Sequence, residues 1–255
     1  MILALKLLLT PFFITLVTLA GRRWGSVVSG LLIGLPLTSG PISIILAVQH
    51  GRAFAASAAA GNLCGMASVC LFCLAYSLIA QRSRWPVSLV GSVLVFLGAT
   101  ALWNLLSLSL LPAFGAMVLV TLLVLRCLPR STTLERAVHS PKWDLPARMI
   151  AATLFVYLIT STALWLGPQL SGLLSPFPVF AAVMAVFNHR QQGPSNAARL
   201  LHGVVVGSWA YTFFFLMVGG LLPLFNAVGV YLLATLSAIG LNLWFIRRAN
   251  VQKLI

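Results

Sequence analysis

Polar residues interrupt this chain so sparsely that nine long apolar stretches remain between them, near 2–20, 26–48, 54–79, 86–103, 108–126, 147–166, 169–188, 197–219 and 222–246. Leu, Val, Ala and Ile run through these stretches without the alternation that marks a half-buried strand. About 20 such residues cross about 30 Å of hydrocarbon as a helix, and only helices or closed barrels satisfy their backbone groups there. The pattern predicts an all-α integral membrane protein of about nine transmembrane helices.

The stretches are not independent of one another. Moving the chain by 142 positions lays residues 13–76 on 155–218 without a gap. Phe13 meets Phe155, Leu16 meets Leu158, and the run Ser29-Gly30-Leu31-Leu32 meets Ser171-Gly172-Leu173-Leu174. Pro36 falls on Pro178, Gly51 on Gly193, Gly61 on Gly203 and Gly65 on Gly207. Self-similarity over this length marks a duplicated unit. Five spans separate equivalent points, an odd number, so the second copy enters the bilayer from the opposite side. The expected architecture is an inverted 4+1+4 repeat. Residues 1–103 form the first four-helix repeat, 104–127 a linker transmembrane helix, 128–146 a cytoplasmic loop and 147–255 the second, inverted repeat.

Composition agrees with hydrocarbon as the solvent: 60% of residues are hydrophobic, 7% charged, and the mean hydropathy is +1.05. A soluble domain needs about a quarter charged residues to cover its surface. The net charge of +14 is scattered singly and in pairs between apolar runs, so it forms no nucleic-acid patch. It marks sidedness instead. Of the 16 Lys and Arg, only Lys6 and Arg52 fall outside one set of alternating loops. That set should be cytoplasmic, which places the N-terminus outside and the C-terminus inside a bacterial inner membrane. Residues 2–20 are expected to stay as a structural helix and not to be cleaved as a signal, since 147–166 take the equivalent role within the chain.

Two spans carry breaks at equivalent places. The second reads G-L-L-I-G-L-P-L-T-S-G-P-I-S and the seventh G-L-L-S-P-F-P-V-F. Pro36, Gly40 and Pro41 in one, and Pro176 and Pro178 in the other, remove backbone donors and divide the helix. Thr38 or Ser39 is placed to cap a half-helix beginning at Pro41, and Ser175 precedes Pro176 in the same way. Discontinuous helices 2 and 7 of an inverted repeat are where secondary transporters hold their substrates, and a half-helix N-terminus favours an anionic or polar group. Pro36, Thr38, Ser39, Gly40, Pro41, Ser175, Pro176 and Pro178 are therefore the expected substrate-binding residues, with Asn62 of the third span as a further hydrogen-bonding partner.

The small-residue motifs Gly61-x-x-x-Gly65 and Gly203-x-x-x-Gly207 are expected to pack against the broken helices. His202 is the candidate proton carrier, because imidazole titrates near neutral pH. No Asp or Glu lies within a span; Glu135 and Asp144 both belong to the loop. The pairing Cys70-x-x-Cys73 is expected to serve packing. No metal site, cofactor or catalytic constellation is legible, so no enzymatic activity is expected.

The segment from Ser171 through Pro176, Phe177, Pro178 and Val179, with Gly193, Ala197, Ala198 and Gly203 after it, resembles the GlpM-type small bacterial inner-membrane proteins. The resemblance implies a fold, a fused pair of such four-helix units, and no activity. The first half departs from it, with G-L-P-L-T-S-G-P in place of the second half's run.

The expected function is a transporter or exporter of a small anionic or polar solute, working around the broken helices. The alternative is a membrane protein that scaffolds or assists an envelope-biosynthesis partner. The expected partners are the lipid bilayer and a small solute; homodimerisation is left open.

Overall fold

A computed structural model describes residues 2–129, 141, 143–158 and 177–251. All regular structure among these residues is helical. The elements are α1 (Ile2–Trp24), α2 (Ser26–Ile33), α3 (Ser39–His50), α4 (Arg52–Ile79), α5 (Trp85–Leu106), α6 (Leu110–Cys127), a helix over 144–158 (α7), α8 (Val179–Gln192), α9 (Pro194–Leu221) and α10 (Ala227–Val251). They follow the apolar stretches, with the second stretch divided into α2 and α3. Five of them, α4, α5, α6, α9 and α10, are long and apolar enough to cross a membrane.

The boundaries recur at the 142-residue offset. α3 and α8 end at His50 and Gln192, α4 and α9 run Arg52–Ile79 and Pro194–Leu221, and α5 and α10 begin at Trp85 and Ala227. Gly51 and Gly193 join successive helices in a single residue, each with φ of +89°. Only glycine adopts that conformation at no steric cost, which explains why the same residue stands at both corners.

α4 and α9 form the centre. In their spanning windows 67% and 56% of residues are buried, against 17%, 22% and 28% in α5, α6 and α10. The outer three therefore expose apolar faces, with Leu94, Leu105, Leu111, Leu119, Leu232 and Leu236 all more than half exposed. Such a surface is suited to lipid and not to water.

Contacts along the central pair fix its direction. Ala59 lies against Gly219, Asn62 bonds Tyr211 and Cys70 bonds Ser208, so numbers on α9 fall as those on α4 rise. The two helices, whose bounds match at the 142-residue offset, run antiparallel.

α2 runs parallel to α9 at backbone contact. A Cβ on Gly34 would sit 2.5 Å from the Gly207 carbonyl carbon, and one on Gly207 would sit 2.5 Å from the Leu31 carbonyl oxygen. Gly30 and Gly203 meet in the same way one turn earlier. The Gly203 and Gly207 pair thus packs on a divided helix as expected. Gly61 does not: it is exposed on α4, and a Cβ there meets nothing within 4 Å. Equivalence in sequence did not carry equivalence in packing, because α4 turns this position outward.

Residues 144–146, expected in the loop, form the first turn of α7, and Asp144 is buried.

Candidate functional site at the divided helix

The chain leaves α-helical bonding just ahead of Pro36. The Gly34 N–H still donates to the Gly30 carbonyl at 3.0 Å, but Leu35 donates to Leu32 at 3.1 Å and Leu37 to Leu35 at 2.8 Å. Bonding resumes when the Gly40 N–H meets the Pro36 carbonyl at 2.9 Å and Ile42 meets Thr38 at 3.2 Å. α3 therefore begins at Ser39, two residues ahead of the expected start at Pro41. The Pro36 carbonyl closes the first turn before Pro41 is reached, and a proline in that turn gives up an amide the helix does not need. Thr38 holds the N-cap position without a side-chain capping bond, so neither hydroxyl performs the expected cap.

The start of α8 shows the same bonds. Val179 donates to Phe177 at 2.9 Å and Ala182 to Pro178 at 2.8 Å, each 142 residues after Leu37 and Gly40. Pro178 is buried at the N-cap of α8, beside Phe177, whose ring meets Phe96 at 5.3 Å and Phe155 at 5.4 Å between centroids. Ser175 and Pro176 lie outside the described residues.

Three polar side chains from three helices converge on the first division. The Tyr211 hydroxyl of α9 donates to Asn62 Oδ1 of α4 at 3.0 Å and lies 3.2 Å from Ser39 Oγ of α3. The Asn62 amide is oriented by its own bond to the Ala58 carbonyl at 2.9 Å. One wall is aromatic: a Cβ on Gly40 would stand 3.5 Å from Phe214, and the Phe215 ring lies 4.7 Å from that of Tyr211, tilted by 43°. One turn along α3, Ser43 Oγ meets the Tyr231 hydroxyl at 2.9 Å, and that hydroxyl also reaches the Ser43 carbonyl. Among the described residues no charged side chain bonds to Ser39, Asn62 or Tyr211. The chemistry available is neutral donor and acceptor exchange in a low-dielectric surround.

The structure thus brings together Ser39, Gly40 and Asn62 from the expected set, with Thr38, Pro36 and Pro41 in the adjoining backbone. It sets His202 apart, exposed on the outward side of α9. Tyr211 was missed from sequence; its signal was a hydroxyl-bearing aromatic one turn beyond Gly207 in a span with few polar groups.

A second polar cluster lies at the end expected to be cytoplasmic. Asp144 is fully buried and accepts from Arg148 Nε at 2.8 Å, Arg22 at 2.9 Å and Gln191 Nε2 at 2.6 Å. Arg148, itself only 3% exposed, also donates to Asn188 Oδ1 at 3.1 Å and covers the Phe187 ring. Burial would push the Asp144 carboxyl up, but the hydrogen bonds from Arg148 and Arg22 outweigh it and hold it below the usual aspartate range. This cluster ties α1 to α7 and α8. The i,i+4 spacing of Asp144 and Arg148 was its sequence signal, hidden by assigning Asp144 to the loop.

Cys64, Cys70 and Cys73 are buried free thiols of α4, and Cys70 donates to Ser208 Oγ at 3.6 Å. Among the described residues no group of His, Cys, Asp and Glu is arranged to hold a metal ion. No family model, curated protein or solved structure matches the chain.

Proposed function

We propose that this chain is a multi-pass transporter or exporter of a small polar solute in a bacterial inner membrane, built as an inverted 4+1+4 repeat. The antiparallel course of the equivalent helices α4 and α9 supports the inversion, and the recurring bonds at Pro36 and Pro178 support two like divisions. The alternation of Lys and Arg supports an N-terminus outside and a C-terminus inside. Asp144, Arg22 and Gln191 meet at one end of the bundle while Arg52 reaches the Phe225 carbonyl at 3.1 Å at the other, in keeping with that order of spans.

One observation carries the transport reading. Ser39, Asn62 and Tyr211 meet at a helix division inside an otherwise apolar bundle, the kind of place where the discontinuous helices of transporters present polar groups to a solute. The solute is a hydrogen-bonding molecule without a requirement for a fixed counter-charge, because the groups lining the division are neutral. In the expected cycle one repeat rocks against the other around this point.

The test places single cysteines at Thr38, Ser39 and Asn62 in a variant lacking the four native cysteines. A membrane-impermeant thiol reagent is then applied to each face of sealed vesicles. Labelling at these positions, from one face or alternately from both, is the expected result. Three positions that stay unlabelled from either face overturn the solute site and favour the scaffold alternative.

A further inference from the structure

Asn242 of α10 is 2% exposed and uses half of its carboxamide on the divided helix. Its Nδ2 donates to the Leu31 carbonyl at 2.8 Å. In an unbroken helix that carbonyl would belong to Leu35, whose N–H turns instead to Leu32 at 3.1 Å. Asn242 therefore caps a carbonyl that the Pro36 division releases. The bond also fixes which end of the carboxamide faces Leu31, and it leaves Oδ1 buried without a partner.

The turn of α2 that Asn242 bonds ends in further acceptors. α2 ends at Ile33, and among the described residues no backbone N–H bonds the carbonyls of Ile33 or Gly34. The last carbonyls of a helix carry the negative end of its dipole. The bond from Nδ2 sets the Asn242 carboxamide against the last turns of α2, which end in neutral oxygens that no backbone N–H bonds. Buried acceptors are satisfied in folded proteins by a donor, a water or an ion.

The repeat supplies a second observation. The position 142 residues before Asn242 is Thr100 on α5, and its Oγ1 is likewise buried without a partner among the described residues. The bond from Asn242 to Leu31 uses only Nδ2, so the packing leaves a buried oxygen unused at both positions.

We propose that the Asn242 Oδ1 and the carbonyls at the C-terminal end of α2 bind a dehydrated monovalent cation, Na⁺ or K⁺. Neutral carbonyl oxygens at an unwound helix end replace the hydration shell of such an ion. No carboxylate of the described residues adjoins them, so a divalent ion would lack the counter-charge that offsets its dehydration. The inference rests on reading the division as functional. It gives that reading a coupling ion in a chain whose 2 acidic residues, Glu135 and Asp144, lie outside the spans expected from the sequence.

The test follows thermal unfolding of the purified full-length chain, reported by a thiol-reactive fluorophore as Cys64, Cys70 and Cys73 become exposed. Choline chloride is replaced stepwise by NaCl or KCl at constant total chloride. The expected result is a rise in Tm of about 3 °C that saturates below about 300 mM with Na⁺ or K⁺. Asn242→Leu should remove the cation dependence, whatever its baseline Tm. Should that variant not fold, Asn242→Thr should raise the half-saturating concentration at least about tenfold. A wild-type Tm that is the same in choline, Na⁺ and K⁺ overturns the proposal, and so does a cation response kept by the Asn242 variants. The outcome is separable from the solute site. Labelling of Ser39 without a cation response sinks only this inference, and a cation response with Ser39 unlabelled sinks only the solute site.

Discussion

Gly61 and Gly203 lie 142 positions apart and align in the sequence, yet the structure assigns them opposite responses to one added methyl group. In a helix interior, alanine is favoured over glycine by about 1 kcal/mol, and that gain applies to both. At Gly61 nothing opposes it, since a Cβ meets no atom within 4 Å. At Gly203 the Cβ would run into the Val27 carbonyl oxygen and lie 3.0 Å from Gly30 Cα and 3.1 Å from the Leu31 nitrogen. All three obstacles are backbone, so no side chain can swing aside, and α2 must move off α9. Overpacking of this kind costs about 1–3 kcal/mol, and separating the helices loosens the Gly34 and Gly207 contact as well. Gly61→Ala should therefore stabilise by about 0.5–1 kcal/mol, and Gly203→Ala should destabilise by about 1–2 kcal/mol after the propensity gain. For a chain of this size the two variants should melt about 4–10 °C apart. The buried thiols of Cys64, Cys70 and Cys73 report the transition through a thiol-reactive fluorophore, while exposed Cys127 supplies a constant baseline. Equal shifts in the two variants, or a Gly203→Ala protein as stable as the parent, would refute the packing argument.

Asp144→Asn leaves the Arg148 guanidinium buried without its counter-charge and should cost about 3–5 kcal/mol; Asp144→Leu combined with Arg148→Met should recover part of that in the same melting assay. Because the folded-state pKa of Asp144 is lowered, its contribution is present above the ordinary aspartate range and is lost as pH falls through the lowered value. Tm should therefore drop below about pH 4 in the parent, and Asp144→Asn should lack most of that drop; Glu135 is the other of only 2 acidic side chains in the chain. Tyr211→Phe should cost about 1 kcal/mol by leaving Asn62 Oδ1 without its donor, and it should slow any solute flux while labelling at Ser39 persists. Unchanged stability would show that water replaces the hydroxyl without loss.

The apolar runs made the helices legible because they are long and lack the alternation of a half-buried strand. The 142-residue offset likewise made the matching bounds of α4 and α9 legible, together with the glycine corners at Gly51 and Gly193. The division at Pro36 was legible too, since a missing N–H is a covalent fact. Its register was not: α3 begins at Ser39 because the Pro36 carbonyl finds the Gly40 amide, a contact that depends on the path of the turn. The polar site was half legible. Ser39 and Asn62 stood out as polar residues in apolar runs, but Tyr211, which joins them, lies 149 positions from Asn62 and meets it only because α4 and α9 pack antiparallel. Asp144 shows the same limit from the other side, a charge placed by its neighbours in a loop and buried by Arg148, Arg22 and Gln191, two of them far along the chain. The sequence by itself determined which segments are helical and where a proline must interrupt the backbone bonding, because those follow from local bonding. Which copy of a motif faces a neighbour and which faces outward was decided only by tertiary packing. Helix rotation is set by the sum of contacts across the bundle, and so Gly203 touches α2 while Gly61 touches nothing.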